Sequence, residues 1–203
     1  MQKEIASCGD NAIATLQANA TIPEGMSAEG YYHVECRDAQ GNLKWTEEFP
    51  NLVVAVGKQL MLDTLLRTSG TYTTVGPFLG LTKVSLTPAA TDTMTTLVTT
   101  NAAEFINYTV GGSAVRGTAV FAASTSTGTT PSNVTTSTAT AITYTITGAG
   151  GTVYGCFLVT GSGAVSTQNS TAGTLYSEGN FSTAKVTTAG DTVSVTYSTT
   201  ATS

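Results

Sequence analysis

At 203 residues the chain has room for one large domain, or a domain with an arm. Only 10 % of its residues are charged, against roughly 25 % in an ordinary soluble domain, and the net charge is −5. With no Lys/Arg cluster to neutralise phosphates, that balance argues against a nucleic-acid partner, and no apolar run approaches the roughly 20 residues that would cross a membrane.

The chain holds 42 Thr and 21 Gly, and helix formers such as Glu, Lys and Arg are scarce. Abundant β-branched residues favour strands. Hydrophobic residues at 40 % suffice for a core. Charge is uneven: after Phe105 only Arg116, Glu178, Lys185 and Asp191 are charged. So neutral a half suggests surface covered by a neighbour. The cysteines Cys8, Cys36 and Cys156 are odd in number, widely spaced and lack a CxxC pair. They read as free thiols serving as small apolar side chains in a reducing cytoplasm. The opening Met1-Gln2-Lys3-Glu4 does not read as a signal peptide.

Residues 1–29 show no sustained period and read as an N-terminal arm. Residues 31–49 read as a hairpin. Tyr32, Val34 and Cys36 alternate with His33, Glu35 and Arg37, a turn spans Asp38 to Asn42, and alternation resumes from Leu43. Pro50 is expected to end the second strand. Leu52, Val53, Val54 and Val56 then read as a short buried strand broken by Gly57. From Lys58 the apolar residues Met61, Leu62, Leu65 and Leu66 make one helical stripe, stopped at Ser69-Gly70. This strand-turn-helix, Asn51 to Ser69, is expected to be the packing centre. Trp45 and Leu62 should be buried, and Leu62→Ala should cost about 2–5 kcal/mol.

Further on, 78–84 reads as a strand. The Thr-rich stretch 87–100 reads as a connection in which Met94, Leu97 and Val98 offer one helical turn. Residues 104–110 and 115–122 read as strands around Gly111-Gly112, and 124–140 as an exposed Ser/Thr loop. Residues 141–147 alternate cleanly, 153–160 are a near-continuous apolar run expected in a central strand, and 161–173 form a loop. Strand character returns at 174–177 and Phe181, and the last strand covers 192–197. The whole reads as all-β: a jelly-roll-like β-sandwich over residues 30–203, with one short helix and an extended arm over 1–29.

No residue set stands out as catalytic, cofactor-binding or metal-binding. His33, the single histidine, reads as a surface strand residue, with Glu35 and Arg37 on its own face. No Gly-x-Ser-x-Gly turn accompanies it, and there is no zinc-ligand spacing. Asp38 with Asn42, and Asp92 with Thr91 and Thr93, read as turn chemistry. Glu47 and Glu48 point to opposite faces of a strand and do not make a carboxylate pair. The five Asn-x-Ser/Thr matches, at Asn19, Asn107, Asn133, Asn169 and Asn180, read as chance in so Thr-rich a chain. The expectation is a non-enzyme without cofactors.

Residues 33–45 (His-Val-Glu-Cys-Arg-Asp-Ala-Gln-Gly-Asn-Leu-Lys-Trp), Asn51-Leu-Val-Val-Ala-Val-Gly57 and Leu60-Met-Leu-Asp63 resemble a family of small structural proteins of tailed bacteriophages. Phe78-Leu-Gly-Leu81, Gly155-Cys-Phe-Leu158, Gly173-Thr-Leu-Tyr-Ser177 and Gly190-Asp-Thr-Val-Ser-Val-Thr-Tyr197 carry the same likeness, so it runs from about Tyr31 to Tyr197. The resemblance is to head decoration, or cement, proteins. It implies a jelly-roll-like body on the outer surface of the virion capsid, made in the host bacterial cytoplasm. The implied partners are the major capsid protein and further copies of the chain, as a homodimer or homotrimer. The alternative is a tail-fibre or tail-associated structural protein used in host recognition.

Overall fold

The computed structural model describes residues 27–67, 75–124, 132–135 and 141–202. The first described elements are β1 (Ser27–Arg37) and β2 (Leu43–Val53), the hairpin expected from their alternation. Tyr32, Val34 and Cys36 are fully buried, and Tyr32 stands opposite Phe49 with the rings stacked at 5.1 Å. Asp38 builds the turn by accepting the N–H groups of Gln40 and Asn42, and Gly41 supplies the positive φ of 86°. Ser27, Ala28 and Glu29, the end of the expected arm, already pair with the last strand. The rest of that arm, residues 1–26, lies outside the described residues.

Pro50 does not end β2. The strand runs on to Val53, because the strand on its far side pairs with β2 only at Leu52 and Val53. A proline is tolerated where one side of a strand has no ladder to feed.

The helix α1 (Ala55–Leu66) starts three residues before the expected Lys58, with Gly57 inside it. A Cβ at Gly57 would come within 2.5 Å of the Tyr176 carbonyl oxygen, so glycine here lets the first turn sit directly on the sheet rather than breaking a strand. Gly57 alone among the helix residues is buried. Of the strand-turn-helix expected at the packing centre, Val53 and Val54 are buried, but the helical stripe is not central. Gly57, Leu60 and Met61 meet the body, while Leu62 is 47 %, Leu65 72 % and Leu66 74 % exposed.

The true centre lies between two layers of strands. After α1 come β3 (Phe78–Thr82), β4 (Glu104–Phe105), β5 (Tyr108–Thr109), β6 (Gly117–Thr118), β7 (Ser132–Thr135), β8 (Ile142–Ile146), β9 (Gly151–Thr160), β10 (Thr174–Thr187) and β11 (Thr192–Thr202). Hydrogen bonding runs β4-β3-β9-β10-β2-β1-β11-β8-β5, with β6 beside β3 and β7 beside β11, and every pairing is antiparallel. The result is an all-β sandwich of the jelly-roll type, bent nearly into a closed barrel. β2 is the seam, pairing with β1 along most of its length and with β10 at its end. At the other side β4 and β5 are consecutive in sequence, with only Ile106 and Asn107 between them.

The barrel interior is apolar and aromatic. Tyr32, Phe49, Leu79, Tyr144, Leu158, Val193 and Val195 come together from both layers. Residues 104–110 and 115–122 form shorter strands than their sequence suggests, because Gly111 and Gly112 turn the chain at φ 58° and 83°. The stretch 124–140 is not wholly a loop, since β7 within it pairs with β11; its remainder is outside the described residues.

A second apolar layer lies outside β9 and β10. Residues 83–103 cross that face as a strap containing a π-helical turn (Thr96–Thr100), the helical turn expected near Leu97. Leu86, Met94, Leu97 and Ala103 pack there against Phe157, Val159 and Leu175. β9 is thus buried on both faces, which is why its sequence is an unbroken apolar run rather than an alternating one. Asn180 clamps the strap at both backbone groups of Leu86, accepting its N–H at 3.1 Å and donating to its carbonyl at 2.7 Å.

Candidate functional surface

His33 sits where alternation places it, on the outward face of β1. Its Nδ1 is 2.8 Å from Glu48 Oε1, and Tyr31 donates more loosely to Glu48 Oε2. Glu35 pairs with Arg37 on the same strand. Glu47, on the opposite face from Glu48, pairs instead with Lys185 at 2.9 Å and accepts the Ser182 N–H. These groups are fixed by one another, and among the described residues no hydroxyl or thiol nucleophile is bonded to the imidazole. Asp38 serves the hairpin turn, and the bonds from Asn42 hold its carboxyl below the usual carboxylate range. Among the described residues, no three His, Cys, Asp or Glu side chains gather as metal ligands.

Cys36 and Cys156 are free and buried. Burial, then the charge of Asp191, pushes the Cys36 thiol up to about 11, and burial raises Cys156 further. Both behave as apolar filling of the barrel. Cys8 is outside the described residues.

The charges in the neutral half of the chain are the less legible part of the molecule. Of Arg116, Glu178, Lys185 and Asp191, all but Lys185 are buried to 2 % exposure or less. Arg116 forms a fully buried ion pair with Glu104, donates to the Ser170 carbonyl at 2.7 Å, and lies over the Phe157 ring. Glu104 also accepts the N–H of Asn169, which adopts a positive φ of 58°. The pair thereby fastens the 161–173 loop to β4. Asp191 is held by Lys44 and by the N–H of Thr188 at the turn between β10 and β11.

Glu178 has no such counter-charge. It is 1 % exposed on β10 and carries an Oε1 with no hydrogen-bond partner, and burial first, then Asp92 of the strap, pushes its carboxyl up to about 8. Asp92 does make the expected turn, accepting the N–H of Ala89 at 2.7 Å. What the sequence did not reveal is that Glu178 is buried. The available signal was the isolation of Glu178 in a run without other charges, which marks a position that the fold, not solubility, must explain.

On the surface of the described residues, Leu62, Leu65 and Leu66 of α1 form an apolar ridge. The helix is held by its first turn and by Leu60 and Met61, and this ridge lies on its outward side. No family model, curated protein or solved structure matches the chain.

Proposed function

We propose that this protein is a bacteriophage head decoration protein, which binds the outer surface of the capsid shell and reinforces the junctions between capsomers. The observation that carries the reading is the leucine ridge of α1 on a body whose own core is complete without it. A side chain such as Leu65, left 72 % exposed, gains about 1.5–3 kcal/mol when a partner covers it. Repeated over linked copies, such contacts hold strongly although each is weak. The phage-family likeness of residues 31–197 points the same way. On this reading the partners are the major capsid protein and further copies of the chain, the protein is a virion component, and it works by contact without catalysing a reaction.

Quantifying the protein against the major capsid protein in purified particles tests the assignment. Copies in the hundreds per particle support decoration. A handful of copies overturns it and favours the tail-associated role. A Leu65→Asp/Leu66→Asp variant checks the surface itself: it should fold normally and fail to sediment with capsids. Undiminished binding would remove the ridge from the interface.

A further inference from the structure

β2 and β10 meet without a continuous ladder. Their backbones pair only where Leu52 and Val53 stand opposite Glu178 and Ser177. From Leu43 to Asn51, β2 pairs with β1 on one side, and among the described residues no strand pairs with it on the other. β10 also parts from β9 beyond this point. Asn180 stands opposite Gly155 and Lys185 opposite Val153, so Phe181 to Ala184 bulge out where β9 supplies Tyr154 alone.

Side chains join the bulge to the open edge of β2. Glu47 shares its face of β2 with Trp45 and Phe49 and stands opposite the buried Val34. Its carboxylate accepts the Ser182 N–H at 2.7 Å and pairs with Lys185 at 2.9 Å, so it grips the bulge near both of its ends. The Phe181 ring lies 5.7 Å from that of Trp45 and 5.2 Å from that of Phe49, and Lys185 lies over the Trp45 ring. This closed arrangement has a cost. Trp45 Nε1 is cut off from water and has no hydrogen-bond partner.

We propose that Glu47 is the clasp of a lateral gate in the barrel: when it releases Ser182 and Lys185, the 181–184 bulge swings away from β2 about the Leu52–Val53 pairing, and Trp45 and Phe181 meet water. The alternative places to open are stronger. Parting β1 from β11 would break a ladder that runs unbroken from Ser27 to Arg37. At the seam one carboxylate and three rings do the holding, and opening gives Trp45 Nε1 a water to donate to.

The gate answers to acid. Lys185 is the charged group that faces Glu47 from β10, β1 brings only Val34, and the face of β2 itself holds Trp45 and Phe49. Glu48, next in the chain, turns to the other face and to His33. Burial opposes the charge on Glu47, but the bonds from Ser182 and Lys185 outweigh it and hold the carboxyl below its ordinary value. The closed form therefore gives up this proton more readily than the open form. Closure is fully favoured above the ordinary glutamate range and weakens as pH falls through the lowered value. The inference stands on the seam alone and is independent of the role proposed above.

Trp45 is the single tryptophan, so its fluorescence reads the seam in the full-length protein. Between pH 7 and pH 3 its emission should move to the red and its quenching by acrylamide should rise. Amide hydrogen exchange locates the opening. After correction for intrinsic rates, protection of the Ser182 amide should fall about threefold or more over the same range, in excess of any change in the β1–β11 ladder. Glu47→Gln, which is neutral at every pH, should show the acid level of Trp45 quenching already at pH 7. Quenching that is flat with pH in the wild type overturns the gate. So does a Glu47→Gln protein that matches the wild type at pH 7. Loss of Ser182 protection only in step with the β1–β11 amides also overturns it, because that is unfolding of the whole body.

Discussion

Arg116 grips Glu104 through two parallel bonds, Nε to Oε1 at 2.8 Å and Nη2 to Oε2 at 2.7 Å, with neither side chain reaching solvent. Such a pair adds little net stability over apolar residues of the same size, yet is costly to break on one side. Arg116→Met alone should destabilise the fold by about 3–5 kcal/mol, because it strands the Glu104 carboxylate in the interior. The double change Glu104→Leu/Arg116→Met should cost well under the sum of the single changes. Urea denaturation of the four proteins checks this. Additive costs would mean that the two side chains act separately.

The displaced centre of the fold makes a second, comparative prediction. Leu62 is half exposed on the outward side of α1, so Leu62→Ala should change stability by no more than about 0.5 kcal/mol. Leu97, fully buried on the inner side of the strap, should cost about 2–5 kcal/mol when cut to alanine. Thermal or chemical melting of both variants decides the matter. A large loss at Leu62 would restore the helix to the core.

Asp191 gives the fold a pH dependence on the acid side. Burial opposes its charge, but Lys44 and the Thr188 N–H outweigh burial and hold its carboxyl below the ordinary value. The folded chain therefore gives up this proton more readily than the unfolded chain does. The stabilisation is complete above the ordinary aspartate range and is lost as pH falls through the lowered value. Asp191→Asn should cost about 1–3 kcal/mol at pH 7. Its melting temperature should converge with that of the parent as the pH approaches 2. A gap that stays constant with pH would assign the loss to packing instead.

Period and turn chemistry were enough to read most strands. The alternation of Tyr32, Val34 and Cys36, and of Ile142, Tyr144 and Ile146, fixes which side faces inward, and the unbroken run in β9 signals a strand covered on both faces. The helix misled for a physical reason. Its apolar residues have helical spacing, which is equally the pattern of a face kept for another molecule, and spacing alone does not say which. Gly57 and Pro50 misled because each is a breaker in isolation and neither breaks anything here. One allows close approach to Tyr176, and the other stands where β2 has a partner on one side only. The buried acids and Arg116 were legible only as charges without neighbours, since their partners come from residues 12 to 147 positions away.

The meeting of β4 and β5 across Ile106 and Asn107 has a bearing on how copies can associate. Among the described residues the two strands that terminate the sheet are each two residues long, so neither offers an extended row of open backbone groups on which a foreign strand could crystallise. Strand addition by another copy is disfavoured at these two ends, and the longer open edge is that of β2 before Leu52, where Pro50 has no N–H to offer.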